Sequence, residues 1–166
     1  MTTVAVSRTP EASLLAPFLD GSDFVDAYEI ALADPKETPA QLFARALAFS
    51  PPWVDAALRL RDSLVRPFGI RTVGAMRSDR RPPFAPKVGD AFGIFTVFAI
   101  RPDELLLGID DRHLDVRVSI AKQTDPLGAR AVVSTAVRNH NWLGRLYMIP
   151  VARIHPLVVR AMLKRL

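Results

Sequence analysis

The segment "GIDDRHLDVRVSI", Gly108 to Ile120, sets Asp110, Asp111, His113 and Asp115 within six positions of one another between two apolar runs. Carboxylates and imidazole at that spacing could bind a divalent cation through oxygen and nitrogen, or exchange protons as acid and base. Alternation along a strand argues against the cation, because it offers the face carrying His113 and Asp115 no second histidine in range. The bland alternative is a hairpin turn, since aspartates are good turn residues. No metal site is assigned.

Register gives the elements that must position these residues. With a hairpin closing around Asp111 and Arg112, Leu105, Leu107 and Ile109 fall opposite Val118, Val116 and Leu114, and Asp110 falls opposite His113. With "KQTDPLGAR" closing the next hairpin, Val137, Thr135 and Val133 come beside Leu114, Val116 and Val118. One face is then apolar across three strands, and the other collects His113, Asp115, Arg117, Ser119, Ser134 and Arg138. The strand ending "RNH" returns to the turn, so Asp111, His113, Arg138 and His140 are expected at one rim, as candidate catalytic residues. A solvated salt-bridge network is the competing reading of the same cluster.

The rest of the chain supplies helices and one more strand region. "DFVDAYEIALA" alternates, with Phe24, Asp26, Tyr28 and Ile30 on one parity, and reads as the first strand. "TPAQLFARALAF" opens with Thr38, Pro39 and Gln41, a capping box with proline at the first helical position. A second helix runs from Trp53 to Arg66, with Val54, Ala57, Leu58, Leu64 and Val65 on one face. Residues 71–90 are rich in proline, glycine and arginine and read as a long loop. "AFGIFTVFAI" is apolar on both parities, which predicts a central strand covered on both sides. A terminal helix is expected from Asn141 to Leu166, divided or kinked at Pro150 and Pro156. Its projection buries Leu143, Tyr147, Ile154, Val158 and Ala161 and turns Arg145, Arg153, Arg160 and Lys164 outward.

At 166 residues, nearly half of them apolar, the chain is read as a single domain over 1–166, with residues 1–20 an irregular lead. The absence of cysteine excludes disulfides, thiolate metal sites and a cysteine nucleophile. The lead does not read as a signal peptide, and the longest apolar run near the end, "LYMIPVA", is far short of the ~20 residues that span a bilayer, so a cytoplasmic location without a transmembrane segment is expected. The net charge is +5, with seven basic and no acidic residues after Asp125. That stripe could meet an anionic membrane or an acidic partner, although such runs are usually solvated surface. Nucleic-acid binding is disfavoured, because no aromatic-basic interleaving or recognition-helix pattern accompanies the charge.

The order strand, two short helices, antiparallel meander and long terminal helix resembles the START-like (SRPBCC, Bet v 1-like) helix-grip fold. More closely, "VGDAFGIFTV", "LGIDDRHLDVRVSI" and "RNHNWLGRLYMIPVARIHPLVVRAML" resemble a bacterial domain-of-unknown-function family, number 2867. The resemblance implies an α+β helix-grip fold in which a curved antiparallel sheet wraps the terminal helix around an apolar cavity. It further implies binding of a small apolar or amphipathic molecule, with a dehydrogenase-like protein as a possible partner, and cyclase-, dehydratase- or hydrolase-like activity at the His113 and His140 rim as the alternative. Trp53, Phe95, Val116, Val137 and Tyr147 are the candidates for the cavity lining. No cofactor is assigned, since the chain has no glycine-rich dinucleotide fingerprint.

Overall fold

The computed structural model describes residues 3–48, 52–68, 85–126, 128–164 and 166. The elements are β1 (Ala5–Val6), α1 (Ala16–Leu19), β2 (Phe24–Ala31), α2 (Pro39–Ala48), α3 (Pro52–Val65), β3 (Ala91–Phe92), β4 (Phe95–Arg101), β5 (Glu104–Asp110), β6 (Leu114–Asp125), β7 (Gly128–Asn139) and α4 (Trp142–Leu163). Seven strands form one antiparallel sheet in the order β1-β2-β7-β6-β5-β4-β3. With α2 and α4 packed on one face of a curved sheet, this is the α+β helix-grip arrangement.

Alternation builds that face as expected. Leu105, Leu107, Val118 and Ile120 are buried in the main core with Tyr28 and Ile30 of β2, and Leu42, Phe43, Ala46 and Leu47 of α2 close over them. The predicted capping box is present: the Thr38 amide donates to Gln41 Oε1 at 2.8 Å and the Gln41 amide to Thr38 Oγ1 at 3.2 Å.

The register differs from the expectation by two residues. Leu107 pairs with Val118 and Ile109 with Val116, so Asp110 lies opposite Asp115 rather than His113. The same shift carries into the next ladder, where Val137 pairs with Val116 and Thr135 with Val118. A shift of two keeps the strand side chains on their faces, so those faces are right and the partners are not; His113, expected on the polar face, is the exception and is buried beneath α4. The turn itself is displaced by one residue along the chain: the Asp111 amide bonds the Leu114 carbonyl at 3.1 Å, so Arg112 and His113 stand at its tip, and His113 is buried.

Three further features of the elements go beyond or against the expectation. The "AFGIFTVFAI" segment is not central: it folds back on itself as β3 and β4 at one edge of the sheet. Its double apolar parity has a different cause, for Phe92 and Val97 enter the main core while Phe98 and Ala99, past a bulge, pack on the opposite face. The lead, with only six residues in regular elements, nevertheless has a fixed place. It contributes β1 and then α1, placing Leu15 against Leu106 and Ala136 so that it covers the sheet face turned away from α2 and α4. Finally, α4 is one helix through Pro150 and Pro156 and is not divided there.

The buried face of α4 is also rotated from the projected one. Gly144, Met148, Met162 and Leu163 are buried, Tyr147 and Val158 are half-buried, and Ile154 is exposed; Arg145, Arg153, Arg160 and Lys164 face outward as projected. Taken whole, α4 is long and apolar enough to cross a bilayer. The short run "LYMIPVA" understated it, because arginines and prolines interrupt the apolar residues without ending the helix.

Candidate functional site

The four rim candidates are near one another in the backbone, but their side chains diverge. His113 is 2% exposed and meets Tyr147 edge-to-face at 5.4 Å, with Asp111 Oδ2 3.5 Å from its Nδ1. It therefore sits under the first turns of α4. His140, whose amide bonds the His113 carbonyl at 2.9 Å, turns away and pairs with Asp115 Oδ2, also at 2.9 Å. Arg138 lies on the far face. Its Nη2 donates to the carbonyls of Pro17, Phe18 and Asp20 at 3.3, 2.9 and 2.6 Å, and its guanidinium covers the Phe18 ring. It is a clamp on the end of α1.

The carboxylates of the turn are similarly separated by their partners: Asp110 binds Arg117 at 2.6 Å, Asp111 faces His113, and Asp115 holds His140. Among the described residues, no group of three or more histidines and carboxylates is placed to share a metal ion.

Of the lining candidates, Val116, Val137 and Tyr147 come together beside Leu114 and Met148 where α4 begins. Phe95 packs edge-on against Phe43 near the opposite sheet edge, at 5.7 Å. Trp53 is exposed on α3. Most of the 71–90 loop lies outside the described residues. A pocket of about 260 Å³ opens between β1, β2 and the β6–β7 turn, lined by Ala5, Glu29, Asp125 and Arg130, and none of the five candidates reaches it.

A different constellation stands where sheet and terminal helix meet. The helix-facing parity of β2 is Phe24, Asp26, Tyr28 and Ile30, whose partners on β7 are Val137, Thr135, Val133 and Ala131. Asp26 is thus a carboxylate on the core side of an apolar face. Its Oδ2 lies 2.8 Å from Nδ1 of His155 on α4, and its buried Oδ1 has no hydrogen-bond partner among the described residues. Phe24 meets the His155 ring edge-to-face at 5.7 Å, buried Thr135 is the cross-strand neighbour of Asp26, and the Arg160 guanidinium lies 5.3 Å from the Tyr28 ring centre. Burial, reinforced by the Asp26 charge and opposed by Arg160, raises the Tyr28 phenol above its ordinary 10.0.

Held at Nδ1 by a carboxylate, the His155 ring keeps Nε2 for proton exchange or for a ligand. Sequence reasoning missed this pair. One signal was present: an aspartate at the inward parity of a strand otherwise presenting Phe24, Tyr28 and Ile30. Nothing local marks His155 as its partner, since 129 positions separate them.

These features define an α+β protein of helix-grip form with a polar dyad set into the apolar seam between its sheet and its long terminal helix. The chain belongs to the family described as "Protein of unknown function (DUF2867)", whose profile matches residues 18–162. No curated protein matches it.

Proposed function

We propose that the protein binds a small amphipathic molecule at the seam of β2 and α4, its polar head at Asp26 and His155 and its apolar part against the aliphatic and aromatic side chains around them. The observation that carries this reading is the Asp26 carboxylate, 13% exposed, satisfied at one oxygen by His155 while its buried Oδ1 has no hydrogen-bond partner among the described residues. A buried acceptor without a donor is costly, of the order of 1–3 kcal/mol, and a ligand hydroxyl, amide or amine would remove that cost. Few, convergent polar groups in apolar surroundings are the usual composition of a small-molecule site.

The test is native mass spectrometry of the protein from its own host, followed by thermal-shift titration with long-chain alcohols, amides and carboxylates. Donor-bearing heads should stabilise the wild type, and Asp26→Asn should weaken that binding about tenfold, the worth of one hydrogen bond to a charged group. Absence of any retained molecule together with no thermal shift, or equal binding by Asp26→Asn and His155→Phe, would sink the proposal.

The dyad also favours a second reading, acid–base catalysis by His155 Nε2 with Asp26 orienting the ring. This moves the enzymatic alternative from the His113 and His140 rim to the seam. Turnover of a bound molecule that stops in His155→Gln while binding persists would separate the two.

A further inference from the structure

The outward face of α4 combines large apolar side chains with cations. Trp142 is 70% exposed, Leu157 61%, Leu146 56% and Ile149 54%, and Arg145, Arg153, Arg160 and Lys164 are exposed among them. At 100° per residue Ile149, Trp142, Leu146 and Leu157 fall within about a quarter-turn, with Arg153, Arg160 and Lys164 inside the same arc and Arg145 about 40° outside it. No acidic residue occurs on the helix or anywhere after Asp125. The opposite side is committed to the domain through Gly144, Met148, Met162 and Leu163.

We propose that this face of α4 docks the protein on an anionic phospholipid surface, lying in the interface rather than crossing it. Several observations select a membrane over an acidic protein. The apolar residues extend over most of a 22-residue helix, about 33 Å at 1.5 Å per residue, which matches a flat, extended surface. Trp142 stands at one end, and its amphipathic indole suits the headgroup level. Arg145, Arg153 and Lys164 have stems long enough to lie along the acyl boundary while their charged heads reach phosphate. Charge of a single sign complements an anionic leaflet. Spanning is a different matter: α4 could cross a bilayer only by leaving the core, stripping Met148, Met162 and Leu163 from the sheet side.

The experiment is cosedimentation of the full chain with phosphatidylcholine vesicles, with and without about a third phosphatidylserine, at ~0.05 and ~0.5 M salt. A Trp53→Phe background leaves Trp142 as the sole tryptophan, so its emission reports insertion. Binding to the anionic vesicles alone, weakened by salt and accompanied by a blue shift of Trp142, is expected. Arg145→Glu with Arg153→Glu should reduce it roughly a hundredfold or more, whereas the matching lysine pair retains it. No binding to anionic vesicles at low salt overturns the proposal, as does equal binding to neutral vesicles. Concentration-dependent dimerisation with Trp142 buried between two copies and no vesicle binding also overturns it, and that wild-type measurement does not depend on whether the charge-reversed variant folds.

Discussion

Asp26 and Tyr28 stand two residues apart on the same side of β2, and each changes what the other can do. The carboxylate makes a nearby phenolate costly, burial adds to that cost, and Arg160 above the ring offsets part of it. Because the folded-state value is raised, Tyr28 contributes stability that is fully present below the ordinary 10.0 and is lost as pH rises through the folded value. Alkaline titration followed by phenolate absorbance should therefore show a late phase above 10.0 that disappears in Tyr28→Phe and in urea. The same substitution should flatten the fall of the urea midpoint above that pH. A titration curve unchanged by the substitution would place the late phase elsewhere.

At the scale of elements, the seating of α4 depends on one missing side chain. A Cβ on Gly144 would stand 2.2 Å from the backbone carbonyl of His113, and a carbonyl held in a β6 turn has little room to move. In a solvent-facing helix, Gly→Ala gains about 1 kcal/mol of helix propensity. Here overpacking against backbone outweighs it, costing about 3 kcal/mol or more, so Gly144→Ala should lower stability by about 2 kcal/mol net in urea unfolding. The Asn141 side chain, which accepts from the Leu143 and Gly144 amides at 3.0 and 3.2 Å, fixes the same first turn. Stability equal to or above wild type would mean that α4 can lift from His113 without loss.

Across the whole molecule, the sheet is covered on both sides, and the second cover is the lead. Buried Glu104, 4% exposed, accepts from the Ser13 and Ser119 hydroxyls and from the Leu14 amide. Arg101 holds the Ala12 carbonyl, Arg138 holds the end of α1, and Arg117 stacks on Phe98 at 3.8 Å. Removing residues 1–20 would bare Leu106, Ala136 and Phe98 and leave a buried carboxylate without two of its donors. Leu15 alone accounts for about 2–3 kcal/mol of burial. The truncated chain should lose at least that in urea unfolding and bind a dye specific for exposed apolar surface. An unchanged midpoint would show that the strap is dispensable.

What the chain determined by itself follows from periodicity. A two-residue repeat in strands and a 3.6-residue repeat in helices assign side chains to faces, so the apolar sheet face, the strands and the outward arginines of α4 were legible, and the Thr38 and Gln41 types predicted their cap. Residues whose signal is not local were misplaced. A hairpin read from its turn chemistry was centred one residue too early, since turn chemistry does not show that His113 is buried beneath α4 at the tip of the turn. The lead looked irregular because its Leu15 and Ser13 acquire meaning only against Leu106 and Glu104, some 90 residues away. Asp26 and His155 were individually visible and jointly invisible: β2 and α4 lie at opposite ends of the chain, and only the tertiary packing of helix on sheet brings a carboxylate and an imidazole within 2.8 Å.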